Sequence, residues 1–260
     1  TDGGKIVVML PGPPSELTPM LTRYAIPALA GKEQAVIVSQ NIHVFGIGEG
    51  SVAELIDDLM QGANPTAATY AKENEMFIRV TARAATEEEA RQMMAPLSHE
   101  IQKRIGSYVY AVDCESLEEV AVRELLKAGK TLATAESCTG GLLAKRITDI
   151  SGASQVFEMG AVTYANRIKE QVLGVSHQTL EDHGAVSEET AREMAQGIRR
   201  AAGSDLGIGI TGIAGPGGGT KEKPVGLVYI ALSDGKETWV RKMVPGNPDY
   251  PRSRSWQRNM

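Results

Sequence analysis

A strand-like run, Thr131 to Ala135, breaks off at Glu136-Ser137-Cys138-Thr139-Gly140-Gly141, and an apolar helical pattern follows through Leu142, Leu143, the stems of Lys145 and Arg146, and Ile147. This junction constrains the chain more than any other stretch, because it sets a hydroxyl at a strand-to-helix turn. The first amides of a helix have no carbonyl partner inside it, so they point back toward whatever precedes them and favour negative charge there. Either Ser137 or Thr139 caps the helix while Gly140 and Gly141 turn the chain, or Ser137 carries chemistry in which an anion develops. The hexapeptide alone leaves both open.

Two later junctions bear on the choice. Met159 to Tyr164 is strand-like and leads into Ala165-Asn166-Arg167-Ile168-Lys169. Asn166 reads as a helix N-cap, which puts Lys169 in the first turn. Leu206 to Thr211 reads as a third strand, followed by Gly212 to Thr220, a loop of Gly, Pro and Thr running on to Lys221 and Lys223. If these strands are neighbours, Ser137, Tyr164, Lys169 and the glycine loop gather at one sheet edge, where open α/β sheets hold their ligands.

A serine hydroxyl is a weak nucleophile at neutral pH and needs a base beside it. His43 and His99 lie in another segment, and His177 and His183 lie in a polar connection after the lysine helix. A lysine serves only when neutral. Bringing its pKa from about 10.4 to about 7–8 takes roughly 4 kcal/mol of selective destabilisation of the ammonium, which burial and a helix start can supply. The oxyanion formed on attack would then meet the backbone amides around Cys138, Thr139 and Gly140.

The blocks AESCTGG, GAVTYANRIK, HGAVS and TGIAGPGGGTKEKPVG, which span Ala135 to Gly226, together resemble the carboxyl-terminal domain of the CinA competence/damage-inducible family. That domain also occurs alone as the nicotinamide-nucleotide amidohydrolase PncC. The resemblance implies an α/β fold, a three-layer α/β/α domain with a mixed sheet, and hydrolysis of nicotinamide mononucleotide to nicotinate mononucleotide and ammonia. It implies Ser137 as nucleophile, Lys169 as general base and Tyr164 as the tyrosine that assists them. Cys138, Thr139, Gly140, Gly141, Asn166, Thr211, Gly212, Gly215, Gly217 and Gly218 are the expected substrate-binding positions. No cofactor or metal is expected, and a small-molecule nucleotide is the expected partner. A non-catalytic module in which the same turn and loop hold a phosphate is the alternative.

Two imitations of nucleotide motifs are set aside. Gly207, Gly209 and Gly212 match a dinucleotide fingerprint formally, but two of them sit inside an apolar strand and no helix follows. Gly129-Lys130-Thr131 copies the end of a Walker motif, yet Glu124 stands where the upstream glycine is required. Cys114 and Cys138 lack metal-ligand spacing and give no disulfide framework. No apolar stretch approaches the roughly 20 residues that span a bilayer, so a cytoplasmic enzyme is expected. A net charge of −5, with basic residues concentrated only at Arg252 to Arg258, argues against nucleic acid as partner.

At 260 residues the chain has room for about two cores. Residues 1–40 hold one expected buried strand, Lys5 to Leu10, and a short helix through Tyr24. The LPGPPSEL run resembles the end of the molybdopterin-binding-like domain of longer family members, so this segment is expected to be its remnant and no ADP-ribose hydrolysis is carried over. Residues 41–112 read as a small α+β domain similar to the family's KH-like module: a strand Ile42 to Phe45, a helix capped by Ser51, a hairpin around Lys72 to Glu75, and a helix with Ala90, Met93, Met94, Leu97 and Ile101 at helical spacing. No GXXG loop begins at Gly46, Gly48, Gly50 or Gly62, so a spacer or dimerisation role is expected rather than RNA clamping, and a homodimer with it. Residues 113–260 make the final domain. It opens with a helix from Glu115 to Ala128, ends in a hairpin through Ser233 to Lys236, and has a tail whose Pro248 and Pro251 oppose a closing helix.

Overall fold

The computed structural model describes residues 6–30, 35–72, 75–114 and 116–244. Lys5, Glu115 and the tail from 245 onward lie outside the described residues, and with them the expectations placed on Pro248, Pro251 and the basic run. Ile6 to Leu10 is not the buried strand its apolar run suggests: it has no strand partner among the described residues, and Val7 and Met9 are 82% and 89% exposed. An apolar run becomes a strand only where another strand takes its amides. The helix that follows Pro13 is present as α1 (Pro14–Met20), a single π turn at Leu21–Ala25 and α2 (Ile26–Ala30).

The first domain is built from β1 (Val36–Val44), α3 (Glu49–Ile56) with a 3₁₀ turn at Asp57–Gln61, β2 (Thr66–Lys72), β3 (Glu75–Ala84), α4 (Glu87–Ile105) and β4 (Val109–Val112). Its sheet runs β2-β3-β1-β4 and is antiparallel throughout. Met76, Ile78, Val80 and Ala82 alternate along β3 onto one face, where Val52 and Ile56 of α3 and Ala90, Met94 and Ile101 of α4 bury them. The strand before α3 is longer than Ile42 to Phe45, and α3 starts at Glu49 with Gly48 as its N-cap, so Ser51 lies inside the helix rather than capping it. α4 passes through Pro96 without ending. Its start is fixed by Thr86 Oγ1, which accepts the amide of Glu89 at 3.2 Å, and by Glu89, which accepts that of Ala85 at 3.1 Å.

The second domain contains α5 (Leu117–Ala128), β5 (Leu132–Glu136), α6 (Leu142–Thr148), β6 (Phe157–Val162), α7 (Asn166–Leu173), α8 (His177–His183), α9 (Glu188–Ala202), β7 (Leu206–Gly212), β8 (Val228–Ser233) and β9 (Thr238–Met243). The sheet order is β6-β5-β7-β8-β9, with the first three strands parallel and the last two antiparallel. Ala133 and Ala135 face a cluster with Leu173 of α7, Leu180 of α8 and Met194 and Ile198 of α9; Leu132, on the opposite face, packs with Val122 of α5 and Ile147 of α6. Helices thus cover both faces, giving the expected three layers around a mixed sheet.

Two strand glycines have a packing reason. A Cβ on Gly207 would lie 2.2 Å from the Ala195 carbonyl oxygen, and one on Gly209 would lie 2.5 Å from that of Ala191, so only glycine lets α9 press its backbone onto β7. This is why a glycine pattern inside a strand imitates a nucleotide fingerprint here.

Candidate active site

Because β6, β5 and β7 are parallel neighbours, their carboxyl ends lie side by side. Alternation along β5 then decides where its last residues point: Leu132, Thr134 and Glu136 share the α5–α6 face, while Ala133, Ala135 and Ser137 share the α7–α9 face. Ser137 still follows the strand, donating its amide to the Ile210 carbonyl at 3.0 Å. Its Oγ lies 3.2 Å from Lys169 Nζ.

Lys169 arrives from α7. A helical side chain leans toward the helix N-terminus, so the ammonium-bearing end of Lys169 reaches back into the β6–α7 connection. There Nζ donates to the carbonyls of Thr163 at 2.8 Å and Tyr164 at 3.0 Å. Lys169 is 1% exposed, and burial is the cause that holds its pKa below the ordinary lysine value. Two carbonyls can only accept, so a neutral Nζ spends both of its N–H bonds on them and turns its lone pair to Ser137, whose O–H then donates.

Glu136 is the residue that sequence reasoning passed over. Its carboxylate, 1% exposed, accepts the amides of Gly141 at 3.1 Å, Leu143 at 3.1 Å and Ala144 at 2.8 Å. The free amides at the start of α6 are therefore turned away from Ser137. The helix begins at Leu142, where the apolar pattern begins, but its N-cap is Gly141 rather than Ser137 or Thr139, and its apolar stripe is narrower: Leu142, Lys145 and Arg146 are exposed while Ile147 is buried. Gly140 and Gly141 have φ of 59° and 97°, the left-handed region that suits glycine. The alternation of β5 is the signal that could have revealed Glu136, since it turns that carboxylate toward the helix that starts at Leu142.

The other expected positions divide. Tyr164 contributes its carbonyl to Lys169, but its phenol ring is in a side chain 75% exposed, so nothing in the fold aims the hydroxyl at the proton path. Asn166 is the first helical residue of α7 and is exposed. The N-cap is Ala165, whose extended backbone alone begins the helix. Cys138 places Sγ against Gly212, where a Cβ would meet it at 3.0 Å, and burial pushes its thiol up to about 11. Thr139 Oγ1 is shielded from solvent and has no hydrogen-bond partner among the described residues.

The hydroxyl of Thr211 is taken by the Ala185 carbonyl at 2.6 Å, which fixes the end of β7 rather than leaving a group for a ligand. Gly215 has φ of 83° and room only for its hydrogen, since a Cβ would lie 2.4 Å from Val225 Cγ1; Gly217 faces open space and Gly218 has φ of 83°. Lys223 reaches back to the His183 carbonyl at 2.6 Å, tying the loop to the end of α8. Lys130 Nζ and the Thr131 amide and hydroxyl all bind Asp205, so the Walker-like tripeptide serves as a structural clasp. Both cysteines are free. Among the described residues no helix is long and apolar enough to cross a membrane.

A KH-like antiparallel domain followed by a three-layer α/β/α domain, with a buried lysine on a serine at the carboxyl edge of its parallel strands, defines a narrow class of architecture. Residues 39–111 match the damage-inducible protein CinA KH domain and residues 114–258 match the CinA C-terminal domain. The chain belongs to the CinA family.

It is 51% identical over 253 residues to a putative competence-damage inducible protein of Caldanaerobacter subterraneus subsp. tengcongensis, covering 97% of this chain and 61% of that relative. It is 53% identical over 242 residues to a CinA-like protein of Desulfovibrio desulfuricans, covering 93% of this chain and 57% of the relative. The chain thus spans about three fifths of the length of the curated relatives it matches. Among solved structures, a competence/damage inducible protein from Agrobacterium tumefaciens is 43% identical with a TM-score of 0.48, covering 49% of this chain and 78% of that one. A CinA superfamily protein from Escherichia coli is 35% identical with a TM-score of 0.49, covering 51% and 77%.

Proposed function

We propose that the second domain hydrolyses the carboxamide of nicotinamide mononucleotide by a serine-lysine mechanism, releasing nicotinate mononucleotide and ammonia. The observation that carries this reading is the buried Nζ of Lys169, 3.2 Å from Ser137 Oγ and held by two carbonyls. A surface lysine would be protonated and useless as a base, whereas burial favours the amine.

Ser137 Oγ attacks the carboxamide carbon while its proton passes to Nζ. The oxyanion lies toward the amides of Cys138 and Thr139, which donate to no carbonyl among the described backbone hydrogen bonds and are shared with the Cys138 thiol. Nζ returns the proton to the amide nitrogen as the C–N bond breaks, so ammonia leaves and an acyl ester remains on Ser137. Water then attacks the ester carbon, giving its proton to Nζ. The C–Oγ bond breaks as Nζ re-protonates Oγ, and the carboxylic acid product departs, ionising to nicotinate mononucleotide as the released ammonia takes up its proton.

A phosphate-binding module without catalysis would use the N-terminal amides of α6, but Glu136 already occupies three amides of that first turn and N-cap. The test is ammonia release from purified protein offered nicotinamide mononucleotide, nicotinamide riboside and nicotinamide in parallel. Release from the mononucleotide above the other two is expected, and bound nucleotide without ammonia would overturn the reading.

A further inference from the structure

We infer that Glu136 is a positioning residue that directs nucleophilicity to Ser137 rather than to its neighbour Cys138, by anchoring the turn between β5 and α6 with a buried carboxylate. This inference rests on the serine-lysine reading for its catalytic consequence, while the anchoring itself stands on the hydrogen-bond geometry.

The first part is mechanical. Glu136 joins three pieces: its carboxylate clasps the amides of Gly141, Leu143 and Ala144, its own carbonyl accepts the Thr163 amide at 2.8 Å, and Ser137 follows it directly. Thr163 in turn gives its carbonyl to Lys169 Nζ. One residue therefore ties the turn that carries the nucleophile to α6 on one face of the sheet and, through the in-plane bond to the end of β6, to the residue whose carbonyl accepts from the lysine. Two left-handed glycines, Gly140 and Gly141, would otherwise let this turn swing. A displacement of about 1 Å between nucleophile and base costs on the order of 10²-fold in rate.

The second part is electrostatic. Cys138 sits next to the nucleophile and beside the end of β7, and a thiolate there would compete with the serine. Burial is the main cause that keeps the thiol neutral; Glu136 of β5 adds to it, whereas the amides of Cys138 and Thr139, and Lys169 of α7 when protonated, oppose it, and Gly212 of β7 brings no charge. Neutralising Glu136 removes the repulsion and exposes the positive start of α6 at the same time, and both changes favour the thiolate.

The test compares Glu136→Gln with Glu136→Asp in a Cys114→Ser background, so that Cys138 is the only thiol. Three measurements are made: the rate at which a fluorophosphonate labels Ser137, the pH midpoint for alkylation of Cys138 by iodoacetamide, and ammonia release from nicotinamide mononucleotide. Glu136→Gln is expected to slow serine labelling and kcat by about 10²-fold with KM changed much less, and to move the Cys138 midpoint downward. Glu136→Asp keeps the charge but shortens the reach, so it should slow labelling while leaving the thiol midpoint close to the parent's. A Glu136→Gln protein that melts like the parent and keeps both its labelling rate and its thiol midpoint overturns the inference. If Glu136→Gln does not fold, Glu136→Asp decides the mechanical part through the labelling rate. Absence of ammonia from the parent protein would count against the deamidase reading alone, since labelling and alkylation do not depend on the substrate.

Discussion

The four-stranded and five-stranded sheets differ in what they bury. The antiparallel sheet is closed by aliphatic side chains, and the buried polar residues of its domain are His43 and Ser98. The mixed sheet buries a carboxylate, Glu136, and an amine, Lys169, together with Ser137 and Thr163, all at the carboxyl ends of adjacent parallel strands. Ionisable groups are costly to bury unless backbone groups receive them, and here three amides receive the carboxylate and two carbonyls the amine. Parallel strands produce such an edge because every connection returns over a helix. Antiparallel hairpins spread their ends over both sides of the sheet.

The sharpest way to break this contrast is to remove the chemistry from the second edge. Ser137→Ala should lower ammonia release by roughly 10³-fold or more, and adding Lys169→Ala should cost little beyond that, because two residues acting as one unit are non-additive. Rates for the two single variants and the double variant measure this, and full additivity would refute the pairing. Lys169→Arg should be equally inactive, since a guanidinium remains protonated and cannot take the serine proton.

The same lysine sets the pH profile. Its pKa is lowered by burial, so the active amine fraction grows as pH rises, and kcat/KM should climb with a midpoint below the ordinary 10.5. A rising limb at or above that value would remove Lys169 as the base. For stability the sign is also fixed: the unfolded chain binds this proton at pH values where the folded chain has lost it. This group therefore makes folding more favourable as pH rises from the folded pKa to the unfolded one.

Next in size is the packing that keeps β7 beside β5. Gly209→Ala drives a methyl toward the Ala191 carbonyl oxygen at 2.5 Å and the Ala195 amide nitrogen at 2.6 Å, both backbone atoms of α9 that cannot rotate away. A loss of about 3 kcal/mol is expected by denaturant titration. Gly217→Ala, which meets nothing within 4 Å, is the matched control and should change little.

Much of this site was legible because the sequence marks strand ends with glycine and hydroxyl residues, and three such ends in a β-α-β pattern converge by topology alone. Ser137 and Lys169 are brought together as the sequence implies. What stayed hidden depended on where helices begin. Glycine runs blur a helix cap: the pattern places the helix from Leu142 but leaves Ser137 or Thr139 as its cap, and it assigns to the serine the amides that bind Glu136. Asn166 drew attention as a cap because of its side chain, although an extended Ala165 suffices. Tyr164 could not be read correctly either, since its contribution is a main-chain carbonyl, which any residue would supply. The apolar run at Ile6 to Leu10 misled for a different reason: strand propensity says nothing about whether a partner strand is there.

The smallest expected effect asks whether the two sheets behave as separate cooperative units. Each domain offers a comparable N-cap, Thr86 accepting from the Glu89 amide at 3.2 Å and Ser116 accepting from the Glu119 amide at 3.1 Å. Removing either hydroxyl as alanine should cost about 1 kcal/mol. If the aliphatic core of the first domain and the charged edge of the second are stabilised independently, Thr86→Ala should raise the opening constant for hydrogen exchange of β1 and β3 amides by about fivefold and leave β5 and β7 unchanged, and Ser116→Ala should do the reverse. Equal acceleration of both sheets by either variant would mean that the domains open together. A change at one cap would then alter the population in which Ser137 faces Lys169, and ammonia release measured near the melting transition would fall in Thr86→Ala as much as in Ser116→Ala.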